Sequence, residues 1–138
     1  MKIVSVILVS IILLISAISC KPSKNNTITG GGKGGNVTIK IAPEFYGLFV
    51  DTCVVYIKYG TLDAPATGVY DDSAKCVVTT NDTSIATFTN LTAGLYYFLG
   101  VGYHATGGHP PNVKGSANCT IQKDGNYTFY LPTTWYIP

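Results

Sequence analysis

The sequence predicts an all-β fold, a single antiparallel β-sandwich of about seven strands. Apolar and polar residues alternate with a period of two over most of the last hundred residues, and no stretch shows a 3.6-residue period. The composition favours strands over helices, since it holds ten Tyr but only one Glu and no Arg. The alternating runs are short and are joined by Gly, Pro, Asn and Asp, which is typical of sandwiches.

Residues 1–19 read as a secretion signal. Lys2 is followed by an almost wholly apolar run over 3–15, which then gives way to small residues. The segment Ala17-Ile18-Ser19-Cys20 resembles the lipobox of bacterial lipoproteins, although Leu is more usual where Ala17 stands. The resemblance implies cleavage before Cys20, lipidation of Cys20 with chains such as palmitate, and attachment to a bacterial membrane facing the periplasm or cell exterior. An ordinary signal peptide and a retained membrane anchor are the alternatives.

Residues 20–36 are predicted to be the lipidated cysteine and a flexible tether. After Cys20 the segment reads KPSKNNTITGGGKGGN and offers almost nothing to bury. A chain of this kind spans on the order of 20–25 Å. The run GGGKGG lacks the spacing and the following Ser or Thr of a phosphate-binding loop. We therefore expect a spacer before a folded domain at 37–138.

Within 37–138, seven segments carry strand patterns. They cover 37–41, 53–59, 74–80, 84–89, 95–103, 116–122 and 126–131. The segment 95–103 is long and mostly apolar, as expected of a central strand. The last two segments flank Lys123-Asp124-Gly125, where Asp-Gly favours a tight turn, so we expect them to form a hairpin.

The segment 86–97, ATFTNLTAGLYY, resembles a stretch of prealbumin-like and carboxypeptidase-regulatory-like sandwiches. The resemblance implies that Phe88 and Leu91 plug one end of the core, that Gly94 permits a tight turn, and that Tyr96 begins an inward-facing row. The whole arrangement also resembles small uncharacterised bacterial lipoproteins. Such sandwiches serve as adhesive, stalk or accessory modules, so the fold alone does not name an activity.

Composition argues against several function classes. The formal net charge is +2 and arginine is absent, which disfavours nucleic-acid binding and bidentate anion clamps. No nucleophile elbow, zinc-protease or paired-glutamate motif is present. We expect a non-enzymatic, cofactor-free lipoprotein of the envelope that acts as an adhesion or accessory module. The alternative is a carbohydrate- or peptide-binding lipoprotein, and the partner in either case is a glycan or a protein.

Three cysteines follow Cys20, which leaves one unpaired in an oxidising compartment. Cys53 and Cys76 both fall on predicted inward faces and bracket a long loop, so a Cys53–Cys76 disulfide is favoured. The alternatives are a Cys53–Cys119 pair across two sheets and the absence of any disulfide. If Cys53 pairs with Cys76, Cys119 is a small buried apolar residue.

Aromatic residues are in excess, and three of them are candidate ligand contacts. Tyr56 and Tyr97 alternate out of phase with the core rows, which places them on an outer face, and Trp135 lies near the C-terminus. Exposed Tyr and Trp stack on sugars and anchor protein contacts. Cross-strand pairing that stiffens a sheet is the simpler interpretation of the tyrosines.

Two further features are weaker. His104 with His109, and Asp71 with Asp72, offer metal-binding side chains without the spacing of a known site, so no metal is predicted. Asp72-Ser73-Ala74 resembles the acceptor of a bacterial O-glycosylation system, which makes Ser73 a candidate modification site in the loop before Cys76.

Overall fold

The structure is a computed structural model that describes residues 27–105 and 112–138. The described residues form ten strands and no helix. The strands are β1 (Lys33–Phe45), β2 (Leu48–Phe49), β3 (Thr52–Tyr59), β4 (Asp72–Lys75), β5 (Val77–Val78), β6 (Ser84–Leu91), β7 (Gly94–Tyr103), β8 (Asn112–Ile121), β9 (Gly125–Pro132) and β10 (Thr134–Trp135). Three of them are only two residues long, so seven strands of four residues or more remain.

The strands form two sheets that pack face to face, which confirms the predicted all-β sandwich. In the first sheet β9, β1, β6 and β5 lie side by side, and β2 pairs with the end of β1. The second sheet has the order β10-β8-β7-β3-β4, and the long strand β7 is central, as predicted. One pair departs from the antiparallel pattern, because β9 runs parallel to β1 from Val37↔Gly125 to Glu44↔Pro132.

The predicted hairpin between the last two long strands is wrong. β8 pairs with β7 along its whole length, whereas β9 pairs with β1 in the opposite sheet. The turn around Asp124 therefore carries the chain from one sheet to the other. Gly125 has a φ of 150°, which an L-residue rarely adopts, and so serves this crossing instead of a two-residue hairpin.

The predicted strand 74–80 is also divided. Its first part, β4, pairs with β3 in the second sheet, and its second part, β5, pairs with β6 in the first sheet. Cys76 lies between the two parts, where the chain changes sheets. Ala74 and Cys76 are more buried than their neighbours, but Val77 and Val78 are both exposed, so the continuous strand pattern of the sequence does not carry through the sheet change.

The core lies between the sheets and is built by the inward rows of the long strands. Fully buried members are Val37, Ile39, Ile41, Val55, Ile57, Leu91, Tyr96, Val113 and Leu131. Each such aliphatic side chain contributes about 1.5–3 kcal/mol when it leaves water. Phe88 and Phe98 meet inside the core with ring centroids 6.0 Å apart. Phe88, Leu91 and Tyr96 thus occupy the inward positions that the 86–97 pattern indicates.

The folded domain begins earlier than the predicted boundary at 37. The Gly30 carbonyl accepts a hydrogen bond from Leu95 N–H at 2.6 Å, and the Gly32 carbonyl accepts one from Thr92 N–H at 2.9 Å. A Cβ on Gly31 would lie 2.7 Å from the Leu95 carbonyl oxygen, so the glycines permit this close approach. Residues 30–36 are therefore docked on the turn between β6 and β7, and residues 20–26 of the predicted tether lie outside the described residues.

The predicted signal, residues 1–19, and the lipidation site Cys20 also lie outside the described residues. Within the described part of the chain, no helix has the length and apolar character needed to cross a membrane.

Candidate functional site

The chain enters the sandwich at one end, and an aromatic cluster lies at the other. Residues 30–32 are bonded at the turn between β6 and β7, beside the start of β1. β1 then runs for 13 residues to Phe45. Because Lys33 and Val37 both pair with Leu91, the strand advances regularly only from Val37 to Phe45, and at 3.3–3.4 Å per residue the two ends are roughly 27 Å apart. Any membrane anchor upstream of residue 27 is thus attached to the end opposite Phe45.

We call the far end the aromatic end and define it by Phe45, Tyr46, His104 and Trp135. The Phe45 ring centroid lies 4.6 Å from that of Tyr46, 4.9 Å from that of Trp135 and 5.3 Å from that of His104. Tyr46 and Trp135 are 6.0 Å apart. Phe45 is buried, so it supports an aromatic layer whose outermost ring, Tyr46, is 81% exposed.

A tight turn displays Tyr46. Tyr46 and Gly47 connect β1 to β2 with φ values of 49° and 80°. Two consecutive positive φ angles are what a type I′ turn requires, and they match the twist of the paired strands. Glycine or asparagine is usual there, whereas a tyrosine at positive φ is strained by about 1–3 kcal/mol. Backbone strain of this kind is concentrated at functional sites.

Other apolar side chains extend the aromatic end. Tyr103 ends β7 opposite Thr52, and Tyr136 N–H donates to the Asn112 carbonyl, which brings the C-terminus to the same end. Leu48, Tyr103 and Ile137 are exposed here by 58%, 44% and 84%. Tyr46 and its neighbours therefore make an exposed aromatic and aliphatic surface that sequence alternation alone did not identify.

Asp51 holds the segment that follows β7 at this end. Its Oδ2 accepts a hydrogen bond from Ala105 N–H at 2.7 Å and lies 3.5 Å from Nδ1 of the buried His104. His109 lies outside the described residues. Among the described residues, no group of three His, Cys, Asp or Glu side chains is arranged to hold a metal ion.

Tyr56 and Tyr97 lie on the outer face of the second sheet, away from the aromatic end. Tyr70 packs on Tyr56 with ring centroids 5.6 Å apart. The pKa of Tyr70 is raised, mainly by burial and to a smaller extent by the nearby Tyr97. Asn118, opposite Tyr97 on β8, donates to the Leu62 carbonyl at 2.9 Å and holds the loop 60–71 over this face. Both tyrosines are consequently half-buried.

Trp135 does not join those tyrosines. It lies on β10 and packs on Phe45 at the aromatic end, on the inner side of the sandwich. The three predicted contact residues therefore divide between two places, the outer tyrosines and the aromatic end. Sequence position alone gave no means of separating them, because β10 is only two residues long.

The neighbouring carboxylates are engaged by lysines. Lys58 Nζ lies 2.9 Å from Asp71, and Lys33 Nζ lies 2.8 Å from Asp72. Burial tends to raise the pKa of Asp71, but hydrogen bonds from Lys58 and the Tyr59 N–H outweigh it and lower that pKa. The hydrogen bond from Lys33 lowers the pKa of Asp72 against a smaller opposing effect of burial.

Ser73 lies on the edge strand β4, opposite Tyr56, and not in the loop before Cys76 where the sequence placed it. Its side chain is exposed because the flanking Ala74 packs inward against the core. Ser73, Tyr56 and Tyr70 border a recess of about 340 Å³. Glycosylation of Ser73 stays a prediction.

The structure brings Cys53 and Cys76 together. Cys76 N–H donates to the Cys53 carbonyl at 2.8 Å, and both side chains are free thiols. Cys119 is distant from this pair. Cys53 pairs with Gly102 on β7, Gly102 pairs with Val113 on β8, and Cys119 lies roughly 20 Å further along β8 than Val113. The register therefore rules out the rival Cys53–Cys119 pair, whereas the Cys53–Cys76 disulfide stays a prediction.

Comparisons with known proteins add no relative. The chain matches no protein-family profile, no curated protein and no solved structure. The fold is therefore established by the structure itself, as a small all-β protein of two sheets, and the prealbumin-like and lipoprotein resemblances rest on sequence motifs alone.

Proposed function

We propose that the protein is a non-enzymatic, lipid-anchored lipoprotein of the bacterial envelope, and that its sandwich is an adhesion or accessory module. The lipobox-like Ala17-Ile18-Ser19-Cys20 supports the anchor. The observation that carries the module's role is its polarity, because the chain enters at one end while the aromatic end lies roughly 27 Å away at the other. A domain anchored through Cys20 presents the aromatic end away from the membrane.

The chemistry of the aromatic end suits contact with another surface. Tyr46 is 81% exposed and rests on Phe45 and Trp135, so its ring is held in place before any partner arrives. Rigid aromatic side chains supply much of the binding energy at protein interfaces, because little conformational entropy is lost when they bind. The surrounding apolar surface of Leu48 and Ile137 adds area that water leaves on contact.

The anchor is tested by metabolic labelling with palmitate in a host that processes lipoproteins. The wild-type chain is expected to take up label and to shorten by its signal. Cys20→Ala is expected to take up none and to remain uncleaved or soluble. Label that persists in Cys20→Ala would overturn the anchor.

The aromatic end is tested by adherence of cells that display the full chain to arrays of glycans and of host and bacterial surface proteins. Tyr46→Ala is expected to abolish any specific adherence. The matched control is Tyr130→Ala, since Tyr130 is also an exposed tyrosine, at 61%, but lies on the side of β9. Equal loss in both variants, or adherence unchanged by Tyr46→Ala, would exclude the aromatic end as the contact.

Carbohydrate or peptide binding is the second candidate, and the recess beside Ser73 is the observation that favours it. Tyr56 and Tyr70 offer ring faces there, and Asp71 and Asp72 offer hydrogen-bond acceptors. Aromatic faces together with carboxylates are groups that bind sugars. A glycan array separates the candidates: specific binding that is lost in Tyr97→Ala or Tyr56→Ala but kept in Tyr46→Ala assigns the outer tyrosines, and loss in Trp135→Ala or Tyr46→Ala assigns the aromatic end.

A further inference from the structure

Cys53 and Cys76 stand where the chain changes sheets, at the side of the sandwich. Cys53 is near the start of β3 and is only 7% exposed. Cys76 is the single residue between β4 and β5 and is half-buried. The backbone hydrogen bond from Cys76 N–H to the Cys53 carbonyl keeps the two side chains against each other. The pair is thus built into the fold and does not arise from a mobile loop.

A third side chain lies beside this pair. Ser84 begins β6, is 2% exposed, and its hydroxyl has no hydrogen-bond partner among the described residues. It is near enough to Cys76 to lower the pKa of that thiol. A buried hydroxyl without a partner is costly. The position of the Ser84 hydroxyl is explained if it donates a hydrogen bond to a negatively charged Cys76 sulfur.

The two sulfurs differ in acidity. The neighbouring Cys53 thiol lowers the pKa of Cys76, and Ser84 acts in the same direction against the effect of burial. The Cys76 side chain, together with burial, raises the pKa of Cys53, whose thiol donates to the Val54 carbonyl at 3.6 Å. Burial raises the pKa of Cys119 to about 12, so that thiol is inert at neutral pH.

A cleft gives access to the pair. It has a volume of about 520 Å³ and is lined by Cys53, Cys76, Lys75, Tyr103 and Tyr136, among others. This is room for one or two side chains of an incoming molecule, and Lys75 places a positive charge on the wall of the cleft. An accessible, acidic sulfur beside a buried second sulfur is the arrangement that thiol–disulfide exchange needs.

We propose that Cys53 and Cys76 are a thiol–disulfide exchange site at which Cys76 reacts with an external disulfide in the cleft. The Cys76 thiolate attacks one sulfur of that disulfide, forms a mixed disulfide and expels the first thiolate. Cys53 then gives its proton to solvent, attacks the Cys76 sulfur and expels the second thiolate. The protein loses two electrons and two protons and gains one S–S bond, and the external disulfide is reduced to two thiols.

The experiment uses the full-length protein and oxidised glutathione, with peptide mapping that reads each cysteine separately. In the wild type, Cys76 is expected to react with a limiting maleimide about tenfold faster than Cys119 at neutral pH. Glutathione mixtures are expected to interconvert the dithiol and the Cys53–Cys76 disulfide without denaturant. Comparable alkylation rates at Cys76 and Cys119, or no interconversion, would overturn the site.

Variants assign the order of the two sulfurs. Cys53→Ser is expected to accumulate a glutathione adduct on Cys76, because the second sulfur is missing. Cys76→Ser is expected to leave Cys53 unmodified, and Cys119→Ser to behave as the wild type. Ser84→Ala is expected to move the pH profile of Cys76 alkylation to higher pH. An adduct on Cys53 in Cys76→Ser would reverse the assignment, and the wild-type rates still decide the proposal if a variant fails to fold.

Discussion

The hydroxyl of Tyr96 joins three stretches of chain. It donates a hydrogen bond to the Thr92 carbonyl at 2.5 Å and accepts one from Gly32 N–H at 3.2 Å, while the ring lies in the core. The inward position of Tyr96 follows from local alternation and was predictable. Its contact with Gly32 was not, because the glycine-rich segment has no side chains whose pattern could show where it docks.

Removing the Tyr96 hydroxyl tests how much its bonds to Thr92 and Gly32 stabilise the fold. Tyr96→Phe is expected to lower the free energy of unfolding by about 1–3 kcal/mol, since the Thr92 carbonyl and Gly32 N–H lose a partner. Tyr127→Phe is the matched control, because the Tyr127 hydroxyl bonds the Lys123 carbonyl in the same i−4 relation, but at an exposed turn. Urea unfolding measures both, and equal effects would show that the Tyr96 bonds carry no special weight.

The Lys33–Asp72 contact predicts a pH dependence. The pKa of Asp72 is lowered in the folded protein, so its contribution to stability is present above the unfolded value of 3.8 and is lost as pH falls through the folded pKa. Asp72→Asn is expected to be less stable than the wild type at pH 7, with the difference closing below the ordinary pKa. Thermal unfolding at pH 7 and at a pH below the ordinary pKa measures this difference in stability. Asp63→Asn, a change in an exposed loop, is the control. A difference that does not change with pH would contradict the contact.

At the level of strands, alternation identified which face a residue takes but not which strand lies beside it. The strands on either side of Asp124 alternate with the same period across a sheet change, whereas after Cys76 both Val77 and Val78 are exposed. Hairpins and crossings therefore look alike in sequence. The aromatic end was missed for a related reason, since Tyr46, Tyr103 and Ile137 come from three separate elements that only the fold brings together.

A Cys53–Cys76 disulfide would hold the segment in which the chain crosses from one sheet to the other. In an oxidising buffer Cys53→Ser is expected to lower the free energy of unfolding by about 2–4 kcal/mol, because a disulfide closing a loop of about 24 residues restricts the unfolded chain. Cys119→Ser is expected to cost less. Guanidinium unfolding with and without reductant measures both, and a Cys53→Ser deficit that survives reduction would have a cause other than the disulfide.

For the molecule as a whole, the glycine-rich segment is part of the domain. A chain that begins at Thr27 is expected to be more stable than one that begins at Val37, because the latter lacks the Gly30 and Gly32 carbonyls that bond Leu95 and Thr92, as well as the first residues of β1. Calorimetry of the two chains measures the difference. Equal melting temperatures would restore the domain boundary to Val37.

The parallel pairing of β1 with β9 governs when the fold can form. Val37 meets Gly125, so the first long strand acquires its outer neighbour only from the last one. Contacts this distant in sequence make folding slow, in the range of milliseconds to seconds. A chain that emerges N-terminus first from a translocation pore, as a secretion signal implies, cannot complete its first sheet until nearly all of it has crossed. If residues 1–19 direct export as proposed, this strand order would keep the chain threadable until nearly all of it has crossed.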